Sequence, residues 1–237
     1  MTQPKHVIGR RQLVAGIGIM SLWMALSPVA NAEQMGGTRR GKKVAGGGLS
    51  ALLGRATDGA LDKLSQPGAF FADKDVRIGL PIVGNVGGLL GTIVGAGSQL
   101  GLLDGLTRGI NDAAGVAAGE AKPIFRDAIS NLSFKDAPDI IRQDDGATQY
   151  LRQSSNDRLQ SRLRPLVDGA LERAGIFREF DNLSQKHTVI RETGLNRDKI
   201  SQSVTDQGLK GIFNYIGREE RAFQANPLGG LGNLLGK

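Results

Sequence analysis

"VTDQGLKGIFNYIGREERAFQANP", residues 204–227, carries its bulky apolar side chains at Leu209, Ile212, Phe213, Ile216 and Phe223. Spacings of three and four residues place them on one face of a helix, and no strand alternation competes with that pattern. Pro227 closes the segment, as a residue that cannot continue a helix does. The reading is an amphipathic helix with its apolar face on a core.

The same period recurs upstream. "GGGLSALLGRATDGALDKLS", residues 46–65, aligns Leu49, Leu52, Leu53, Ala56, Ala60 and Leu64. "AKPIFRDAISNL", residues 121–132, offers Pro123 as a first-turn residue and an apolar face of Phe125, Ile129 and Leu132. Ser133 and Asp136 read as an N-cap pair opening a short helix, "SFKDAPDIIRQ", residues 133–143. "ATQYLRQSSNDRLQSRLRPLVDGALERAG", residues 147–175, carries Leu151, Leu159, Leu163, Leu166, Ala170 and Ala174 and stops at Gly175. Pro165 is expected to kink or split that helix. The expected fold is all-α, a single multi-helix, bundle-like domain.

Ahead of it stands a segment with the order of a signal peptide. Lys5, Arg10 and Arg11 precede the apolar run "LVAGIGIMSLWMAL" (13–26), which Ser27-Pro28 breaks before Ala30-Asn31-Ala32. Cleavage is expected between Ala32 and Glu33, because the run is shorter than the roughly 20 residues a span needs. Arg10 and Arg11 also fit a twin-arginine signal, although Gly9 stands where a hydroxyl residue is usual. The expected organisation is a signal over 1–32, a flexible Gly/basic linker over 33–48, the helical domain over 49–227, and a Gly/Leu-rich tail over 228–237. The expected location is the bacterial periplasm or the exterior.

The chain has no cysteine. Thiol nucleophiles, thiolate metal sites and a lipid-bearing cysteine are thereby excluded, and an exported chain without disulfides must rely on its core. The formal net charge of +7 resides near the N-terminus. Beyond Lys43 there are 23 basic and 22 acidic residues, so the domain lacks the basic face that nucleic acid needs. Arg39, Arg40, Lys42 and Lys43 are a candidate peripheral contact with anionic lipid, or else a solvated linker.

Candidate chemistry is thin. His187 is the single histidine beyond the signal, and no G-x-S-x-G elbow accompanies it. Asp136/Asp139, Asp144-Asp145 and Glu219-Glu220 are carboxylate pairs, but adjacent helical residues point about 100° apart and make no acid/base pair by themselves. Capping and solvated faces account for them. No phosphate-binding glycine motif is present. No catalytic residue, metal ligand or cofactor is assigned, and an enzyme is the less favoured reading.

Residues 66–81 ("QPGAFFADKDVRIGLP"), 110–141 ("INDAAGVAAGEAKPIFRDAISNLSFKDAPDII"), 144–152 ("DDGATQYLR"), 162–171 ("RLRPLVDGAL") and 208–227 occur in one order and spacing. The set resembles the exported bacterial family called domain of unknown function 4197, over most of 50–227. That resemblance implies a helical, exported protein without an assigned activity. Asn111, Asp136, Thr148, Tyr150 and Glu220 match its polar positions, and Arg77 lies in its "VRIGLP" stretch. These six are the candidate ligand or structural positions, with helix caps and buried hydrogen bonds as the plainer role. Gly115, Gln143 and Gln224 depart from it, where an acidic residue, a glycine and an arginine are usual.

Residues 78–103 contain no charged side chain. At 1.5 Å per residue such a stretch would reach about 39 Å, enough to cross a bilayer. Eight glycines together with Pro81, Asn85 and Gln99 offset much of the insertion energy of its Leu, Ile and Val residues. Relatives carry a charged amphipathic helix at this place, which implies a helix within the soluble domain. Gly84, Gly88, Gly91, Gly95 and Ser98 would form its close-packing strip. Two functions are expected: a non-catalytic binding or envelope-associated structural protein with an unidentified partner, or a membrane-active protein using 78–103 as a conditional insert.

Overall fold

A computed structural model of the chain describes residues 37–80, 100–133, 144–192 and 194–226. Among these the regular structure is helical throughout. The helices are α1 (Gly37–Leu64), α2 (Ala69–Ala72), α3 (Leu100–Glu120), α4 (Lys122–Ser130), α5 (Gly146–Arg173), α6 (Ile176–Lys186), α7 (Thr188–Glu192) and α8 (Arg197–Ala225). The all-α expectation holds.

Local chemistry explains the boundaries. Pro123 sits in the first turn of α4, where its missing N–H costs nothing. Asn196 caps α8 by accepting from Lys199 N–H at 2.9 Å. Gly175 ends α5 at φ +72°, a left-handed turn that suits a residue without Cβ. Two boundaries differ from expectation. Helical backbone reaches back to Gly37, so the expected flexible linker is helical over 37–48. Nor does Pro165 split α5. Pro165 and Ser161 are both exposed, so water can take the carbonyl that proline leaves without a donor.

The core draws on nearly every helix. Leu53, Ala56, Ala60, Leu61 and Leu64 of α1 meet Ile110 of α3, Phe125 of α4, Leu151 and Leu159 of α5, Ile176 of α6 and Ile216 of α8 in one buried cluster. Phe125 and Phe213 meet edge to face at 6.2 Å and 74°, a geometry that adds about 0.5–1.5 kcal/mol beyond burial. The longest shared interface is α5 against α8, and α3 lies beside both. Ala174, expected on the apolar face, is exposed, whereas Val167 is buried beside a half-buried Leu166.

Glycines set several approaches. A Cβ on Gly211 would stand 3.1 Å from Phe70 and 3.2 Å from Val76, and one on Gly208 3.8 Å from Ile78. Residues 70–78 therefore seat in a notch on α8. Gly115 lies against the Leu64 carbonyl, which a Cβ would meet at 3.2 Å.

Of the uncharged stretch 78–103, residues 81–99 lie outside the described residues, and the strip from Gly84 to Ser98 with them. So do the signal segment, the expected cleavage at Ala32–Glu33, residues 134–143 of the helix expected over 133–143, and the tail expected over 228–237. Among the described residues no helix is long and apolar enough to cross a membrane.

Candidate functional site

Two clusters gather most of the polar positions singled out in the sequence. In the first, Glu220 on α8 is 1% exposed and Thr148 on α5 is 2% exposed. The Glu220 carboxylate accepts from Ala147 N–H at 3.0 Å, Thr148 N–H at 2.8 Å and the Thr148 hydroxyl at 2.6 Å. Gln224 Nε2, one turn further along α8, donates to it at 3.3 Å.

The position of those donors explains the arrangement. Ala147 and Thr148 are the second and third residues of α5, the ones an N-cap side chain ordinarily serves. Asp145 occupies the cap position but makes no side-chain cap bond. It instead accepts from Arg221 at 2.8 Å. Glu220 thus caps α5 from another helix, and its negative charge also favours the positive end of the helix dipole. With four donors already on it, the carboxylate serves as a cap and has no free route to a substrate proton.

The second cluster holds the irregular segment from Arg77 to Leu80. Asn111 of α3 is 1% exposed. Its Oδ1 accepts from Ile78 N–H, while its Nδ2 donates to the Ile78 and Thr107 carbonyls, each at 2.8 Å. Gln207 of α8 treats the next residue alike, accepting from Gly79 N–H and donating to its carbonyl, both at 3.0 Å. Two carboxamides thereby stand in for a neighbouring strand, and Asn111 satisfies backbone groups of the buried Ile78 that would otherwise be orphaned. Arg77 itself is exposed and its Nε donates to the Phe71 carbonyl.

Beside this segment is a third cluster without a counterpart among the expected residues. Asp73 accepts from Arg218 Nη1 at 2.7 Å, Tyr215 OH at 2.9 Å and the Asp75 amide at 2.9 Å. Arg218 also reaches Asp75 at 2.6 Å and lies 4.9 Å over the Tyr215 ring. The Arg218 guanidinium, then the Asp75 amide, hold the Asp73 carboxyl below the usual carboxylate range against a smaller opposing effect of burial. Burial first, and then the bond to Asp73, push Tyr215 upward. "DKD" at 73–75 is a turn signal visible in sequence; its partners 142 and 145 residues away are not.

The remaining candidates separate. Tyr150 OH donates to the Ser133 carbonyl at 2.7 Å, away from the Glu220 carboxylate's bonds. Asp136 and Gln143 lie outside the described residues. His187 ends α6. Glu219 pairs with Lys63 of α1. Capping and surface pairing thus account for both members of Glu219-Glu220. Among the described residues no group of three or more His, Asp or Glu stands close enough to hold a metal ion.

No curated protein and no solved structure matches the chain. A family model does match it, over residues 40–237, an interval that contains every cluster described above. On that match the chain belongs to the family described as Protein of unknown function (DUF4197).

Proposed function

We propose that this is an exported helical protein of the bacterial envelope that binds a partner or stabilises an assembly without catalysing a reaction. One observation carries the reading. Asn111, Thr148 and Glu220 are buried and bonded to the chain's own backbone or to each other. A catalytic acid or base needs an accessible group within reach of a substrate proton, and these polar groups are committed to holding helices and the 77–80 segment in place. The signal-like order of residues 1–32 supports export.

The test is crosslinking in living cells of a tagged chain, followed by purification under denaturing conditions and by carbonate extraction of membranes. A recurrent adduct with one envelope protein, on a chain that carbonate releases, is the expected result. A purified chain that carries a small metabolite into native mass spectrometry and releases it chemically altered would overturn the non-catalytic reading. A carbonate-resistant pool would instead favour the conditional insert over 78–103.

A further inference from the structure

Phe71, half-buried on α2, has a guanidinium carbon over its ring from each of two directions in sequence. Arg77 lies 4.4 Å from the ring centroid and Arg108, on α3, lies 4.3 Å from it. Both side chains belong to exposed residues. The two cations are therefore at most about 9 Å apart, the sum of the two ring distances, which is comparable to the Debye length of about 8–10 Å at 0.1–0.15 M salt.

Neither has a carboxylate partner among the described residues. The only polar contact of either guanidinium there is Arg77 Nε to the Phe71 carbonyl. Asp73 and Asp75, closest in sequence to Arg77, are both taken by Arg218. Asp104 and Asp112 stand one turn before and after Arg108 on α3, and neither forms an ion pair with it. Residues 81–99 contain no Asp or Glu, so the chain leading away from this place has no carboxylate to contribute.

A cation–π contact holds the charge over a ring but uses none of the N–H donors. Of the five donors on each guanidinium, four on Arg77 and all five on Arg108 remain unspent. The ring fixes both side chains, so less conformational entropy is lost when a ligand arrives. Planar forks of this type match the oxygens of a phosphate group better than ammonium groups do.

We propose that Arg77 and Arg108, held against Phe71, form a subsite for a phosphate group. The phosphate oxygens accept from the two forks, whose donors no carboxylate among the described residues occupies. The group can come from free phosphate or from a phospholipid headgroup, and the site stands independently of the envelope reading.

The test titrates the purified chain with inorganic phosphate in low salt, and separately with phosphatidylcholine vesicles with and without phosphatidylglycerol. Arg77→Gln and Arg108→Gln should each weaken binding at least about tenfold, as expected for loss of a charge-assisted hydrogen-bonded partner. Arg152→Gln, an exposed position on α5, should leave it unchanged. The basic run from Arg39 to Lys43 is common to all variants and cancels in the comparison. Far-ultraviolet spectra and melting temperatures equal to wild type keep the comparison clear of folding defects. Phosphate that binds and displaces the vesicles supports the site with a free phosphate group as sufficient ligand. Vesicles that bind through both arginines without competition from phosphate support it with a lipid headgroup as ligand. If neither probe binds, or if both glutamine variants bind like wild type, the proposal fails.

Discussion

Glu220→Ala tests the cap that joins α8 to α5. The substitution removes a carboxylate that is 1% exposed and orphans Ala147 N–H, Thr148 N–H and the Thr148 hydroxyl. The two amides amount to the loss of an N-cap, about 0.5–2 kcal/mol. The buried hydroxyl left without an acceptor adds about 1–3 kcal/mol. Relief of the carboxylate's own desolvation reduces the total, which centres on about 3 kcal/mol. For a domain of this size that corresponds to a melting temperature lower by roughly 6–12 °C. Glu220→Gln keeps one acceptor oxygen but turns an amide donor toward a backbone donor, so its cost should be smaller, about 1–2 kcal/mol. The assay is urea unfolding at 25 °C followed by far-ultraviolet circular dichroism, with the slope against urea expected to stay constant. A Glu220→Ala loss below about 0.5 kcal/mol, the range of ordinary surface changes, would refute the capping role.

Asn111→Ala should destabilise by about 2–4 kcal/mol because the Ile78 N–H and C=O both lose their partner; an unchanged urea midpoint would show that this segment is not held by the carboxamide. Asp73 has a folded pKa below its ordinary value because of Arg218 and the Asp75 amide, so its stabilisation is present above the unfolded pKa of about 3.9 and lost as pH falls through the folded value. Asp73→Asn should therefore cost stability at pH 7, with the gap to wild type closing in melts run progressively below about pH 4; a gap independent of pH would contradict the assignment. Gly211→Ala, whose Cβ would press on Phe70 and Val76, should destabilise by up to about 2 kcal/mol, an overpacking cost of about 1–3 kcal/mol less the roughly 1 kcal/mol that alanine gains inside a helix, whereas Gly54→Ala on α1, with nothing within 4 Å, should stabilise by up to about 1 kcal/mol from helix propensity. Thermal melts that rank the two glycine variants the other way would overturn the notch on α8. N-terminal sequencing of exported chain should begin at Glu33, and an intact Met1 in the envelope fraction would remove the signal reading.

Helix content, helix faces and several boundaries were legible in the sequence because each depends on residues within a turn or two. Leu209, Ile212, Phe213 and Ile216 share a face by the geometry of one helix, and all four are buried. Pro123 and Gly175 act through their own backbone dihedrals, so their positions carried over to α4 and to the end of α5. Pro165 shows the limit of local reasoning. Its ring removes a hydrogen bond, but exposure of Ser161 and Pro165, together with packing on either side of them, let α5 run on.

Tertiary structure alone decided what the polar residues do. Glu220 and Thr148 were singled out separately, yet nothing in either stretch says that the carboxylate reaches the first turn of a helix 72 residues earlier in the chain. Asn111 was singled out and Gln207 was not, although they perform the same task on Ile78 and Gly79. Here the physical reason is that a backbone N–H or C=O is chemically alike at nearly every residue. A side chain that serves one leaves no complementary mark in the sequence it serves. Apolar periodicity repeats along a segment and can be read from it, whereas a cap or clamp supplied from afar exists only once packing has brought the two places together.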